Sequence, residues 1–358
     1  MISRKAVVLI QFCFIPLNLP AFFLKGSSMR IKKKIIWVLM LFILGSIVIF
    51  EQNLKSDKIV VAPNSSYNAS FFSKGTYEMR QKPFNVLLQY FLPQHALSYV
   101  AGWLAENQQP WLKDYLIRYF LHCYTVNMQE AIIEDPFSYP SFNSFFTRHL
   151  KPTARPISSE LNAITSPADG FISQIGEIHQ NTLMQAKGVN FDLVHLLGGE
   201  LEQARLFADG SFATFYLSPK DYHRVHMPLA GKLTHTLFIP GKLFSVNQST
   251  AAHVPQLFAR NERLVCIFET SIGPMAVILV GAMLVGSIET AWHTNTHATH
   301  ITRESFDNGV MLQKGEELGY FKMGSTVIVL FGHNKIKWNA ALTENTVVRM
   351  GEQVGTII

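Results

Sequence analysis

The chain has 358 residues, 48% hydrophobic and only 16% charged, with a formal net charge of +6. That allows a large core in one large domain or two smaller ones, and a basic surface suited to an anionic partner; the apolar excess favours a membrane face over nucleic acid. The three cysteines, Cys13, Cys123 and Cys266, are scattered and odd in number, which excludes a disulfide framework or a cysteine-built zinc site.

The N-terminal region, residues 1–50, reads as a membrane anchor or leader. Arg4, Lys5, Lys25, Arg30, Lys32, Lys33 and Lys34 all precede the first acidic residue, Glu51. The apolar stretch from Ala6 to Leu24 is broken by Pro16, Asn18 and Pro20 and makes a poor spanning helix. The stretch from Ile35 to Phe50 is uncharged. As a helix it would be ~24 Å long, slightly short of a ~30 Å hydrocarbon core, and Lys34 could snorkel to close the gap. Met29 ahead of a basic run also resembles a natural start, and a signal-peptide core is the rival reading; an uncleaved anchor is favoured. The basic flank before the anchor places the remainder of the chain on the non-cytoplasmic face.

Residues 51–82 are polar and read as a linker. Residues 83–155 read as a helical, membrane-proximal region. Pro93 and Pro110 punctuate it, and Trp111, Leu112, Tyr115, Leu116, Tyr119 and Phe120 draw one apolar stripe. Its dense aromatics suit either a membrane interface or packing on a core. Residues 156–358 read as a β-rich domain, with strand-forming runs at 210–217, 275–280 and 325–331. The expected fold class is therefore α+β, with N-terminal amphipathic helices beside a β-rich catalytic domain and an anchor ahead of both.

Four segments carry candidate chemistry: SPADG at 166–170, DYHRVHMP at 221–228, KGEELG at 314–319 and FKMGST at 321–326. Unaided, they supply an aspartate on a Pro/Gly turn, two histidines three residues apart and a serine at a Gly–Ser junction. Ser, His and Asp are the parts of a nucleophile, base and orienting acid. Parts alone do not make a site, because spacing does not show proximity. His223 and His226, with His235 nearby, lack a third ligand at zinc spacing, and His293, His297 and His300 lack the glutamate of a metalloprotease helix, so no metal is expected. Lys187 and Arg224 read as structural residues or lipid-phosphate contacts.

Taken together, these segments resemble the signatures of bacterial-type phosphatidylserine decarboxylases. QAKG at 185–188, PGKLFSVN at 240–247, LFARNER at 257–263 and LVGA at 279–282 are similar to that family as well. The resemblance runs from about residue 85 to the end. Two departures stand out: Met323 where the family commonly has Leu, and the stretch from Trp292 to Asn308.

The resemblance implies an enzyme that makes its own cofactor. Ser325 would attack the carbonyl of Gly324, with His226 as its base and Asp169 orienting His226. The chain would be cut at 324/325 and Ser325 would become a pyruvoyl group. That group would form a Schiff base with phosphatidylserine, carbon dioxide would leave, and His223 would protonate the carbanion to give phosphatidylethanolamine. The implied partners are phosphatidylserine, an anionic membrane and the two cleavage fragments as a heterodimer, with further oligomerisation left open and nucleic acid excluded. The implied location is the bacterial inner membrane; the resemblance implies its cytoplasmic face, the charge bias favours the other, and the side stays open. The rivals are a conventional serine hydrolase running as one ~40 kDa band, a pyruvoyl decarboxylase of a soluble amino acid, and an unprocessed membrane-binding relative.

Overall fold

The computed structural model describes residues 83–186, 188–284, 287–292, 298–322 and 324–358. The expected anchor, the linker, Lys187, His293, His297 and Met323 lie outside the described residues. Among the described residues, no helix is long and apolar enough to cross a membrane.

Three helices open the described chain: α1 (Phe84–Phe91), α2 (Gln94–Glu106) and α3 (Pro110–Cys123). The prolines set their boundaries. Pro83 and Pro93 flank helix starts, and Pro110 occupies the first turn of α3, where its missing N–H costs nothing. Of the expected stripe on α3, Leu112, Leu116 and Phe120 are buried together with Ile117, whereas Trp111 stays partly exposed. Phe120 packs edge-on against Phe142, Phe145 and Phe146 of the short helix α4 (Phe142–Phe146), whose N-cap Ser141 accepts from the Ser144 N–H.

The remainder is β-rich. In chain order the strands are β1 (Ala163–Thr165), β2 (Gly170–Glu177), β3 (Thr182–Ala186), β4 (Val189–Asp192), β5 (Ser211–Leu217), β6 (Arg224–His226), β7 (Gly231–Ile239), β8 (Arg263–Thr270) and β9 (Gly273–Val280). They continue with β10 (Ile288–Thr290), β11 (Thr302–Leu312), β12 (Glu317–Phe321), β13 (Ser325–Phe331), β14 (Ile336–Trp338), β15 (Val347–Val348) and β16 (Gln353–Ile357). The described residues are thus α+β. A large antiparallel sheet runs β11-β7-β8-β9-β13-β5-β2-β15, and a smaller one runs β10-β12-β6.

β13 is the interior strand that matters most. It pairs with β5 on one side and β9 on the other, and every residue in it is buried. A run such as STVIVLF, β-branched and apolar on both faces, is what a strand covered on both sides demands. The large sheet's buried side chains, among them Phe212, Phe215, Val277, Leu279, Val327 and Val329, belong to one core cluster.

Several segments quoted for the resemblance fix loops on this frame. Asn261 accepts from the Phe244 N–H and donates to the carbonyls of Phe244 and Gly281. Gln185 donates to the carbonyls of Ala251 and Val254 and accepts from the Leu257 N–H. Gln89 and Gln94 of the helical region accept from the N–H groups of Ser245 and Leu243. Buried loop backbone must find such partners, and here side-chain amides supply them.

Candidate active site

Two sheet crossovers run side by side at the site. β5 leaves the large sheet, turns through residues 218–221 and enters β6 of the small one. The chain returns from β12 of the small sheet, which ends at Phe321, to β13 of the large one, which opens at Ser325. β5 pairs with β13, with Leu217 opposite Ser325, and β6 pairs with β12, with His226 opposite Glu317. The Phe321 N–H donates to the His223 carbonyl at 3.1 Å. His223 therefore sits on one crossover while the Gly324–Ser325 bond ends the other.

Ser325 is fully buried and its Oγ has no hydrogen-bond partner among the described residues. Leaving a buried hydroxyl unpaired costs ~1–3 kcal/mol, and such orphans concentrate at functional sites. His223 is equally buried. Its Nδ1 faces the Asp221 carbonyl at 2.9 Å, so Nδ1 carries the proton, and the unpartnered Nε2 presents a lone pair. Its ring lies 4.2 Å from that of Phe146. Burial pushes His223 down to about 3 and lowers His226 as well, so both are neutral at pH 7. Asp221 accepts from the Ser218 N–H through Oδ2, and burial raises it to about 6.

His226 is held at both nitrogens. Nδ1–H donates to the Gly315 carbonyl at 2.8 Å, and the Tyr222 hydroxyl donates to Nε2 at 3.1 Å. Gly315 adopts a φ of +83°, and a Cβ there would come within 2.8 Å of Ile157. The KGEELG segment thereby acquires definite roles: Gly315 orients His226, and Glu317 pairs with Arg224 at 2.6 Å.

Asp169 sits at the entrance to β2, beside Gly170. A Cβ on Gly170 would lie 2.2 Å from the Tyr216 carbonyl oxygen, so only glycine lets β2 and β5 approach this closely. The sequence assigned Asp169 to orienting His226. Here its oxygens are committed elsewhere: Arg155 Nε donates to both, at 2.8 and 3.0 Å, Nη2 adds a third bond at 2.5 Å, and the Met350 N–H donates to Oδ1 at 2.9 Å. The orienting acceptor for His226 is the Gly315 carbonyl, and Asp169 acts on His226 through its charge. Gly324, expected to avoid crowding, has open space around it: an added Cβ would meet nothing within 4 Å. Among the described residues no group of three or more His, Cys, Asp or Glu is placed to hold a metal.

Several residues of the site escaped the sequence. Arg155 and Glu130 complete the Asp169 cluster, with Arg155 Nη2 2.9 Å from Glu130. Tyr222 masks His226, and Arg148 lies buried nearby. Arginine is rarely buried, so sequence alone assigns it to the surface. Arg224 has structural partners, donating to the Thr147 carbonyl and to Glu317.

A buried serine and a histidine lone pair, both without a partner among the described residues, and a clamped carboxylate mark the candidate site where the large and small sheets adjoin. A family model described as phosphatidylserine decarboxylase matches residues 142–356, and a second, described as PSD, matches residues 84–125. A phosphatidylserine decarboxylase proenzyme of Ectopseudomonas mendocina is 52% identical over 284 residues, 77% of this chain and 99% of that protein. Those of Azotobacter vinelandii and Pseudomonas putida are also 52% identical, over 75% of this chain and 96% of their own lengths. The chain belongs to the phosphatidylserine decarboxylase family.

Proposed function

We propose that the chain decarboxylates phosphatidylserine to phosphatidylethanolamine and carbon dioxide, in the service of phospholipid synthesis, after cutting itself between Gly324 and Ser325. The observation that carries this reading is Ser325: a wholly buried hydroxyl, without a partner among the described residues, on the first residue of a central strand. Such a hydroxyl is poorly placed for hydrolysing an external substrate and well placed to attack its own upstream carbonyl. The relatives' name, proenzyme, supports the same reading.

In this reading Ser325 Oγ adds to the Gly324 carbonyl carbon and the amide becomes an ester. Loss of the Ser325 Cα proton expels the Gly324 carboxylate and leaves dehydroalanine, which water converts to a ketone with release of ammonia. His226 Nε2 removes the hydroxyl proton, which requires the Tyr222 phenol to yield that nitrogen. Asp169, held by Arg155, offsets the positive charge His226 then carries.

The residues around Ser325 fit a pyruvoyl group. Its Oγ is an orphan in a dry setting, and β13 is bonded along both edges, so the fragment that starts there stays seated as half of a two-chain enzyme. When formed, the group supplies an electron sink for an amine whose carboxylate departs as carbon dioxide. His223 Nε2, a buried bare acceptor, would take the proton that the substrate ammonium gives up on condensing with that group and return it to the carbon that the carboxylate leaves.

Membrane attachment is part of the proposal. Phe84, Phe91, Tyr99 and Trp103 project from α1 and α2 and are more than half exposed. Aromatic faces of this kind suit a bilayer interface, and the apolar run at 35–50 would anchor the chain to the bacterial inner membrane with the catalytic part on the non-cytoplasmic face.

Intact-mass measurement of the purified protein tests the core of this reading. The expected result is a large chain ending at Gly324 and a small one with a blocked N-terminus, active on phosphatidylserine vesicles; Ser325→Ala gives one uncut, inactive chain. An active preparation with Ser325 in an unbroken chain would refute it.

A further inference from the structure

The buried arginines of this chain are completed in different ways. Arg155 faces two carboxylates, and Arg224 faces Glu317 and a carbonyl. Arg263 donates to three carbonyls at 2.6 to 2.9 Å. Arg148 has no comparable set of partners. Only 5% of the residue is exposed, and its sole side-chain hydrogen bond among the described residues is a long one, from Nη2 to the Lys220 carbonyl at 3.4 Å. Among the described residues its Nε and Nη1 are buried without an acceptor and no ion pair includes it.

This guanidinium is rigidly presented beside the site. It directly follows α4 and Thr147, whose carbonyl is gripped by Arg224 at 2.8 Å. The guanidinium carbon lies 5.9 Å from the Phe145 ring centre. Its charge is felt by Tyr139, Asp169 and Tyr222, and by Asp221 and His223 on the β5–β6 crossover. A buried cation with spare N–H donors is costly until an anion completes it, and a planar fork of donors matches a phosphate or carboxylate.

We propose that Arg148 binds the phosphate of the substrate head group and thereby positions the serine moiety against residue 325. The proposal rests on the decarboxylase reading given above. The head group carries two anions, and the phosphate is the one an arginine should hold. Charge leaves the carboxylate as carbon dioxide departs, so an ion pair there would stabilise the ground state more than the transition state. The phosphate keeps its charge throughout, so binding it anchors the substrate at no cost to the chemical step.

The test uses Arg148→Met and Arg148→Lys in the full chain. Cleavage is read by intact mass, turnover by KM and kcat on phosphatidylserine in mixed micelles, and anion binding by the melting shift that sn-glycerol 3-phosphate or inorganic phosphate produces. Losing a charge-assisted pair corresponds to roughly tenfold to a hundredfold in binding. Both variants are expected to cleave. Met should raise KM by at least about tenfold on that scale, with kcat changed far less, and Lys should fall between Met and the native protein. The melting shift should appear with the native chain and vanish with Met.

An unchanged KM in fully cleaved Met enzyme overturns the proposal, even where inorganic phosphate still binds. So does failure of both variants to cleave, which would make Arg148 part of folding or of the cleavage step. The melting arm requires no turnover, so loss of the anion site is read separately from any failure of the decarboxylase reading.

Discussion

Arg155→Met, made in a Ser325→Ala background so that the chain stays whole, isolates the support beneath Asp169. Arg155 gives Asp169 three hydrogen bonds and pairs with Glu130 through Nη2; the arginine and aspartate side chains are 8% and 10% exposed. Removing one partner of a buried pair strands the other charge and costs ~3–5 kcal/mol. At ~2–4 °C per kcal/mol for a domain of this size, the melting temperature should fall by roughly 6–20 °C. Adding Asp169→Asn removes the stranded charge and should recover at least half of that loss, which a double-mutant cycle reads as coupling. The pH dependence adds a second check. Burial opposes the ionised form of Glu130, but Arg155 outweighs it and holds this carboxyl below its ordinary value. A depressed carboxyl stabilises the fold above its unfolded pKa and loses that contribution as pH falls through the folded one. The gap between Arg155→Met and its parent should therefore be widest near neutrality and narrow below about pH 4, near the ordinary glutamate value. Urea and thermal unfolding give both quantities. A variant melting within 2 °C of its parent, taking ~2 °C as less than 1 kcal/mol, would refute the account of this cluster.

Gly324→Ala should fold normally, its melting temperature shifting by less than ~2 °C, because nothing lies within 4 Å of the added methyl; cleavage followed by mass should nonetheless slow by about tenfold or more if attack needs an unhindered carbonyl. Tyr222→Phe removes the donor on His226 Nε2 and should cost ~1 kcal/mol of stability while leaving cleavage as fast or faster; a loss beyond tenfold would make the phenol a proton relay instead of a mask. Asp221 and His223 should oppose each other in acid. From pH 6 to the ordinary aspartate value, the folded state gains a proton on Asp221, whose raised pKa stabilises the fold as pH falls, and refuses one on His223, whose lowered pKa destabilises it. Asp221→Asn should unmask the histidine, so that its stability relative to the parent falls by roughly 1 kcal/mol per pH unit between pH 6 and about 4 and no further below; urea titrations at several pH values showing parallel curves in that window would contradict this.

What could be read in advance followed from local pattern. A β-branched apolar run such as Ser325 to Phe331 has few alternatives to a buried strand, and the strand begins at Ser325 as expected. The stripe on α3 was legible for the same reason, although Ile117 joined its buried face while Trp111 stayed partly outside. The electrostatic core of the site was not legible. Arg155 and Asp169 stand 14 residues apart in the sequence and meet across a loop, and Gly315 reaches His226 from 89 residues away, so no periodicity connects either pair. Arg148 is harder still, because the rule that keeps arginine at the surface fails only where something buried needs its charge.

The two antiparallel crossovers bear on the proposed self-cleavage. Strand pairing fixes Ser325 opposite Leu217 and His226 opposite Glu317, so the two connections between the sheets have little freedom to separate. On one side of the junction β12 is tied to His223 through Phe321, and on the other Ser325 opens a strand buried on both faces. A hydroxyl at that junction is denied solvent and given no partner, while its upstream carbonyl belongs to the only residue type without a side chain to shield it. A cut there leaves both ladders of β13 intact. The chain can therefore surrender one peptide bond without surrendering the sheet that positions the new terminus, which makes the start of a doubly paired strand a better place for self-processing than any surface loop.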